Sequence, residues 1–441
     1  MVNIFVKVFI RTTSYIEMSI NEVFELRKND PKWNTSYPLS PDDWAKYRVH
    51  TPLGFEKDKE LSFYIHVPFC KQLCSFCEYT RMICPDNELQ AHYIHVVDED
   101  ITSFKTNHPN IVLRGFDIGG GTPTSLSDEN FNLLLDIFDK AKSGVSLSED
   151  FEPSIEGTFS SLSEAKLSRM VQSGIQRLSL GIQTTDTELL CSQHRERIKE
   201  EFISKWMDKA HLFGIKKINL DLMYGLKGQT KETVEKDLFT IKRHSPEQVT
   251  LYELRTNMID SKDISSKEKL FSLYKQYYEG LRKLGYYASF GQNTFSLSKD
   301  DLGVSSYLRS RMTEGGAYKG FGISAQSMNK KGVSYNCGKN SYDLLNIVKQ
   351  ESYQEEFVYQ LLPDEIASKY IAISGYYGSF LLDKVMSDND IAWNKYIDEV
   401  LSFCLEKDLL LLDGKRVSIT EVGFLHYGAV LSLFYSPVFK R

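Results

Sequence analysis

No stretch of this chain approaches the roughly 20 consecutive apolar residues that a membrane-spanning helix needs, so no membrane partner is expected. Basic residues are in deficit as well. The 53 Lys and Arg stand against 59 Asp and Glu, a net charge of −6, which argues against a general binder of nucleic acid or anionic lipid. Cysteine is sparse: seven residues, an odd number, in a chain of 441 that can build its own core, do not read as a disulfide framework. Free thiols point to a cytoplasmic protein. Val2 to Ile10 is apolar, but it contains Lys7 and no small-residue cleavage site follows, so it makes a poor signal peptide. It reads either as an extra strand or as sequence upstream of a start at Met18. Fixed-period repeats and low-complexity tracts are also missing. With 41% hydrophobic and 25% charged residues, the composition suits one large α/β domain and a smaller one.

What the chain does have is concentrated in one stretch. An apolar β-like run, Leu61 to Val67, leads into Pro68-Phe69-Cys70-Lys71-Gln72-Leu73-Cys74-Ser75-Phe76-Cys77, with cysteines spaced C-x3-C-x2-C. Three thiolates on one short loop can converge on a single inorganic centre. A 4Fe–4S cluster held by three protein ligands keeps one iron open, and an open position is what a catalytic metal retains. Zinc would need a fourth ligand at a familiar spacing, and neither Cys84 nor His66 supplies one. A second run, Phe116-Asp117-Ile118-Gly119-Gly120-Gly121-Thr122-Pro123-Thr124, takes a strand into three glycines, where backbone can approach a ligand closely. Alone, it reads equally as an ordinary βα turn with Pro123 opening the next helix.

Short β-like runs recur at 61–67, 113–118, 153–157, 176–182, 217–223 and 248–253. Helical patterns lie between them, at Asn130 to Ala141, Ser163 to Ser173, Glu200 to Phe213 and Lys231 to Arg243. Such alternation means an α/β fold with a parallel sheet. Six units are too few for a closed eight-fold barrel but suit a partial (β/α)6 TIM-like barrel, with ligands at the C-terminal strand ends. The expected domains are an N-terminal arm at 1–58, broken by Pro31, Pro38, Pro41 and Pro52, the partial barrel at 59–326, and a C-terminal helical domain at 327–441. In the last, helices are expected at Glu355 to Leu361, Asp364 to Tyr370 and Trp393 to Glu406. A hairpin follows, Leu409 to Leu412 and Arg416 to Ile419 about Asp413-Gly414, and then a helix capped by Thr420.

The cysteine triad, with the aromatic Phe76 before its third member, resembles the signature of radical S-adenosylmethionine (SAM) enzymes. Tyr64-Ile65-His66-Val67-Pro68-Phe69-Cys70, the Gly119–Thr124 run, Ser154-Ile155-Glu156, Leu180-Gly181-Ile182-Gln183 and Asp221-Leu222-Met223-Tyr224-Gly225-Leu226 are together similar to the oxygen-independent coproporphyrinogen oxidase-like branch. The resemblance runs collinearly from about Trp33 to the C-terminus. It implies that Cys70, Cys74 and Cys77 hold a 4Fe–4S cluster and that SAM chelates its open iron. It further implies SAM contacts from Tyr64, Gly119, Gly120, Gly121, Thr122, Glu156, Gln183, Arg195 and Asp221. Arginine suits the methionine carboxylate because its fork binds it bidentately. Tyr64, Glu253 and Arg255 would face the reacting substrate, and Arg255, Arg309 and Arg311 could anchor tetrapyrrole propionates.

The activity implied is reductive cleavage of SAM to a 5′-deoxyadenosyl radical that takes hydrogen from a small molecule, with a tetrapyrrole as the first expectation. The alternatives are a radical C-methyltransferase acting on an aromatic heterocycle and a non-catalytic haem chaperone. An electron donor such as flavodoxin or ferredoxin is implied, as are a winged-helix-like tail packed over the barrel mouth and a Lys32–Pro38 segment over the active site. The tail carries no basic stripe for DNA. Several positions depart from the oxidase pattern. Cys77-Glu78-Tyr79-Thr80 lacks a further cysteine, Tyr307-Leu308-Arg309 replaces a Phe-Gln pair, and Gln326 replaces an aliphatic residue. The chaperone's His-Asn-x-x-Tyr-Trp element is also absent, since no histidine lies between His244 and His426. These departures argue for a relative with its own substrate.

Overall fold

The computed structural model describes residues 5–8, 16–29, 48–254, 264–339, 341–361, 363–386 and 395–435. Its organising element is one continuous 13-stranded sheet. All six expected runs form strands: Glu60–Val67 (β1), Val112–Gly120 (β2), Ser154–Gly157 (β3), Arg177–Gln183 (β4), Lys217–Tyr224 (β5) and Gln248–Glu253 (β6). Each pairs in parallel with the next. Leu61, Phe63, Ile65 and Val67 on one face of β1 and Ser62 and His66 on the other are all buried, as expected of a parallel strand covered on both faces.

Helices cover the outside. Asp128–Lys142 starts where Ser127 accepts from the Asn130 N–H (3.2 Å) and buries Phe131, Leu134, Leu135 and Phe138 at helical spacing. Glu200–Phe213 ends at Gly214, whose φ of +112° suits glycine. Together the strands and helices form the partial TIM-like barrel.

A seventh parallel strand, Ala317–Phe321 (β7), lies on the other flank of β1. It escaped the sequence reading because five residues containing Gly320 carry too little periodicity. From there the sheet continues as an antiparallel meander through Gln326–Asn329, Gly332–Asn336 and Glu355–Gln360 to Arg48–Val49. The sheet therefore runs on through the position expected to divide barrel from C-terminal domain. Residues 355–361, expected as helix, are in fact largely this strand. Phe357, Val358 and Tyr359 favour a pleated, half-buried surface, and a short apolar run does not distinguish the two periods.

The region 363–435 has its own core. Helices Pro363–Ser374 and Lys395–Glu406 pack with a three-stranded sheet of Ser379–Leu381, Leu410–Asp413 and Arg416–Ile419. Thr420 caps the next helix, accepting from the Gly423 N–H at 2.9 Å. The supposedly irregular arm supplies part of this core: helix Ile20–Asn29 inserts Val23 and Phe24 among Ile371, Ile397, Val400 and Val430. Strand Phe5–Val8, in the apolar start, pairs with Ile16–Ser19. The Lys32–Pro38 segment lies outside the described residues. The tail meets the barrel through Phe424 on the Tyr274 ring (4.3 Å between centroids) and Lys275 paired with Glu421 (2.7 Å). Among the described residues no helix is long and apolar enough to cross a membrane.

Candidate active site

The cysteine loop begins where β1 ends and is closed at its neck. The Cys70 N–H donates to the Met82 carbonyl (2.9 Å), and the Met82 N–H donates to that of Pro68 (2.8 Å). Arg81 donates to the Cys74 carbonyl (2.6 Å), and Ser75 is tied to Gln193 by backbone and side chain. Phe76 packs with Met223 near the end of β5 and with Leu226 and Leu254 just past β5 and β6, so the aromatic before the third cysteine docks the loop on the barrel mouth. Cys70, Cys74 and Cys77 are free thiols, each partly accessible. Burial pushes the Cys70 thiol up to about 11, against the pull of Thr122, whose Oγ1 is 3.6 Å from the sulfur; Cys77 is raised for the same reason.

Neither possible fourth ligand joins them. The His66 Nε2 sits 2.8 Å from the Thr80 carbonyl, its Nδ1 3.4 Å from the Tyr64 hydroxyl, and burial holds its pKa down at about 4. Cys84 is buried and donates to the Asp86 carbonyl (3.7 Å). Among the described residues, no three His, Cys, Asp or Glu side chains gather closely enough for one metal ion. Three thiols on one loop, not collapsed on a point and without a fourth partner, fit a cluster that takes each sulfur on a different iron.

Below this loop the strands enclose a lumen. Glu156 and Tyr79 keep accessible surface although protein surrounds both, as side chains lining an internal cavity do. Burial, with Asp221 beside it, pushes the Glu156 carboxyl up to about 7 while the Gly120 N–H, donating at 3.1 Å, pulls it back. Asp221 is also raised by burial, despite donors Ser179 (3.1 Å) and Asn219 (2.7 Å). Asp117 on β2 is raised to about 7, again by burial. Its Oδ2 accepts from Ser305 (2.6 Å), but its buried Oδ1 has no partner. Tyr64 stacks on Tyr307 (5.7 Å, 19°). The floor is polar and closed: buried Arg177 donates to Gln248 (2.6 Å) and Ser154 (3.0 Å).

The glycine run is shaped by its surroundings. A Cβ on Gly119 would stand 2.5 Å from the Glu156 carboxylate, and one on Gly120 (φ +110°) 2.6 Å from the His66 ring. The N–H groups of Gly120, Gly121 and Thr122 are spent on Glu156, Val67 and Phe69, and an ammonium, being a donor, would need the carbonyl oxygens of the run. At the end of β4 the register breaks between Gly181 and Gln183, and Gln183 takes φ +66°. A left-handed non-glycine residue at a bulge re-aims a side chain at a strain cost of roughly 1 kcal/mol. Buried Asp237 secures the turn, accepting from the Thr185 N–H (2.5 Å) and both threonine hydroxyls of Thr184 and Thr185. Arg195 reaches from the following loop to Cys74 Sγ (3.3 Å) and the Gly181 carbonyl. Its buried Nε has no partner, which suits a ligand carboxylate arriving beside the cysteines.

Comparison with known proteins shows what this chain is similar to. A family model described as the radical SAM superfamily matches residues 64–241, from β1 through the helix that follows β5. Over that segment the chain is similar to the radical SAM superfamily, and the relatives it matches are HemN-like. It is 32% identical over 195 residues to the heme chaperone HemW of Bacillus subtilis, covering 44% of this chain and 50% of that one. It is 25% identical to the oxygen-independent coproporphyrinogen III oxidase of Escherichia coli over 61% of this chain and 60% of that protein. The chain thus spans about half the length of the curated relatives it matches at 30% identity or more. The solved structure of the Escherichia coli oxidase superposes with a TM-score of 0.72 at 21% identity, over 92% of this chain and 97% of that one, which shows a shared fold.

The fold brings the residues singled out in the sequence into two groups. Cys70, Cys74, Cys77, Thr122 and Arg195 meet at the barrel mouth, while Tyr64, Gly119–Gly121, Glu156 and Asp221 border the lumen. Glu253 turns away from it: Oε2 accepts from Tyr224 (3.1 Å) and Oε1 lies 3.5 Å from the Tyr427 hydroxyl of the C-terminal domain. Strand alternation instead gives the lumen Tyr252, which neighbours Asp221, Tyr79 and Glu156. Arg255 lies outside the described residues. Arg309 is corrected: it pairs with Asp150 in a network with Arg114, Glu60 and Glu314, beside the N-terminal ends of β1 and β2 and opposite the cysteines. Arg311 does sit near the lumen, donating to Tyr307 (3.1 Å) and Gln326 (2.8 Å) and lying 4.6 Å over the Tyr318 ring. The sequence reading missed Asp117, Tyr79, Tyr252 and Tyr307. For Asp117 a signal existed, an acid amid an apolar strand two residues before the glycines, which is costly without a purpose.

Proposed function

We propose that this protein is a radical SAM enzyme that takes hydrogen from a small organic substrate held in the barrel lumen. The observation that carries the reading is the half-accessible three-thiol loop at the mouth, with no fourth ligand, above a lumen closed by Arg177. When bound there, a 4Fe–4S cluster with SAM on its open iron supplies the one-electron cleavage that yields a 5′-deoxyadenosyl radical. The chain's own residues do the rest. Cys70, Cys74 and Cys77 would ligate the cluster, and Arg195, with its orphaned Nε beside Cys74, would take the methionine carboxylate. Glu156, close to neutral pH in its titration, would accept from the ammonium or ribose, Asp221 stands next to it, and Gln183 is aimed from its bulge. Phe76 and the tail exclude water from above.

Relatives named as heme chaperones make a non-catalytic haem-transfer role the second reading. The lack of any histidine between His244 and His426 counts against it, since that region offers no imidazole for haem iron. A tetrapyrrole substrate has the support of the oxidase relatives. Anaerobic reconstitution with iron and sulfide, then reductant and SAM, tests the proposal. 5′-Deoxyadenosine should form with the wild type and not with Cys70→Ala/Cys74→Ala/Cys77→Ala. Haem retention without SAM cleavage would establish the chaperone instead.

A further inference from the structure

The lumen contains one carboxylate that none of the expected cofactor contacts uses. Asp117 stands on the same face of β2 as Gly115 and Gly119, two residues nearer the floor than Gly119. A Cβ on Gly115 would meet the Tyr307 backbone at 2.2 Å and one on Gly119 the Glu156 carboxylate, so Asp117 sits between the Ser305–Tyr307 segment and Glu156. Ser305 Oγ donates to Oδ2 at 2.6 Å. Oδ1 is buried and unpartnered. A buried acceptor left unpaired costs about 1–3 kcal/mol, and no fold requirement explains the expense, because Ser305 alone would tether the segment. Tyr64 and Tyr307 stack beside it, and each is perturbed by the Asp117 charge.

The other charges of the lumen sharpen the point. Asp117, Glu156 and Asp221 are all carboxylates. Three guanidiniums lie nearby, bonded to neutral partners: Arg177 to Gln248 and Ser154, Arg195 to Cys74 and the Gly181 carbonyl, Arg311 to Tyr307 and Gln326. The Nε of Arg195 and of Arg311 has no partner, so these two remain open to an anion, away from Asp117 Oδ1. At Asp117 itself, with Glu156 close by, an entering carboxylate would meet like charge in a poorly solvated place. A basic nitrogen or a hydroxyl would instead satisfy Oδ1, and a cation would also gain from the tyrosine faces.

We propose that Asp117, backed by Ser305 and flanked by Tyr64 and Tyr307, is a specificity-determining residue that selects a substrate presenting a basic nitrogen or hydroxyl, and not a carboxylate, at this position. This rests on the reading of the lumen as a substrate chamber. It departs from the tetrapyrrole expectation at this position, where a propionate would meet like charge.

The test uses anaerobically reconstituted protein with SAM and three probes that share one ring and differ only in head group: benzylamine, benzyl alcohol and benzoate. Binding is read by isothermal titration, with coproporphyrin III as the polyanionic comparison. Benzylamine should bind most tightly and benzoate at least tenfold more weakly. Asp117→Asn, nearly isosteric and verified as folded by its melting profile, should weaken benzylamine at least tenfold and leave benzoate no weaker. Ser305→Ala removes the donor that holds the Asp117 carboxyl down, so the acid is protonated more and benzylamine should also weaken, with benzoate no weaker. Tighter binding of benzoate or coproporphyrin III than of benzylamine overturns the proposal. So does unchanged benzylamine affinity in Asp117→Asn, or no benzylamine binding at all. Failure of SAM cleavage in the wild type would sink the enzymatic reading separately, because these binding measurements do not depend on turnover.

Discussion

Replacing Asp117 by Asn gives a prediction about stability that needs neither cofactor nor substrate. The carboxyl's pKa rises from the ordinary 3.8 to about 7, with burial the dominant cause, opposed by the Ser305 hydrogen bond and by Arg177. Between those values the folded protein holds a proton that the unfolded chain has released. Unfolding free energy must therefore fall as pH rises through that window, and the stability attached to the protonated group is fully present below about pH 4 and gone above about pH 7. Three pH units at 1.36 kcal/mol each set a ceiling of about 4 kcal/mol. Asp117 retains some accessible surface, and Glu156 titrates in the same range nearby, so about 1–3 kcal/mol is the expected share. Asparagine keeps the shape and cannot ionise. At pH 8 the variant should be more stable than the wild type by that amount, and near pH 4.5 the two should be within about 0.5 kcal/mol. Urea denaturation of both proteins at pH 4.5, 6 and 8, followed by tryptophan fluorescence, reads the difference directly. A wild-type-to-variant gap that stays constant across the three pH values would refute the reasoning, whatever the absolute stabilities.

Three further outcomes follow from the geometry. Lys166 is buried with its ammonium donating to the carbonyls of Thr124 (2.8 Å), Leu126 (2.7 Å) and Ser161 (3.3 Å), so Lys166→Met should leave orphaned acceptors behind the glycine run and lower unfolding free energy by about 2–4 kcal/mol in urea melts. Arg195→Lys keeps the charge but loses the fork; SAM affinity should drop about tenfold by equilibrium dialysis while iron content after reconstitution stays the same, and a parallel loss of iron would assign Arg195 to the loop instead. Gly119→Ala places a Cβ 2.5 Å from the Glu156 carboxylate, so Glu156 must swing aside and SAM binding should weaken severalfold with little change in melting temperature; undiminished binding would remove Glu156 from the cofactor contacts.

Much of the architecture was written locally. The six parallel strands from Leu61 to Glu253 announce themselves as buried apolar runs separated by capped helices, because a strand covered on both faces must be hydrophobic throughout. The cysteine triad and the glycine run lie within a few residues of strand ends, so the barrel rule alone assigns them to one rim. Thr420 likewise shows as a cap from its own neighbours. These features depend on short-range chemistry, and the amino-acid sequence determines them by itself.

Other features were decided only when distant segments met. Glu355–Gln360 takes its form from Gly332–Asn336 and Arg48–Val49, partners that local periodicity cannot reveal. Arg309 and Arg311 are two positions apart, yet one joins a surface ion network and the other lies against Tyr307, Tyr318 and Gln326. Glu253 and Tyr252 are adjacent, and the pleat sends one to the C-terminal domain and the other to the lumen. Asp117 gains its meaning from Ser305, 188 residues away, and from Glu156 on the neighbouring strand. Burial and long-range pairing set the surroundings of these groups, and the partners of Asp117 and Glu253 lie far outside any local window of sequence.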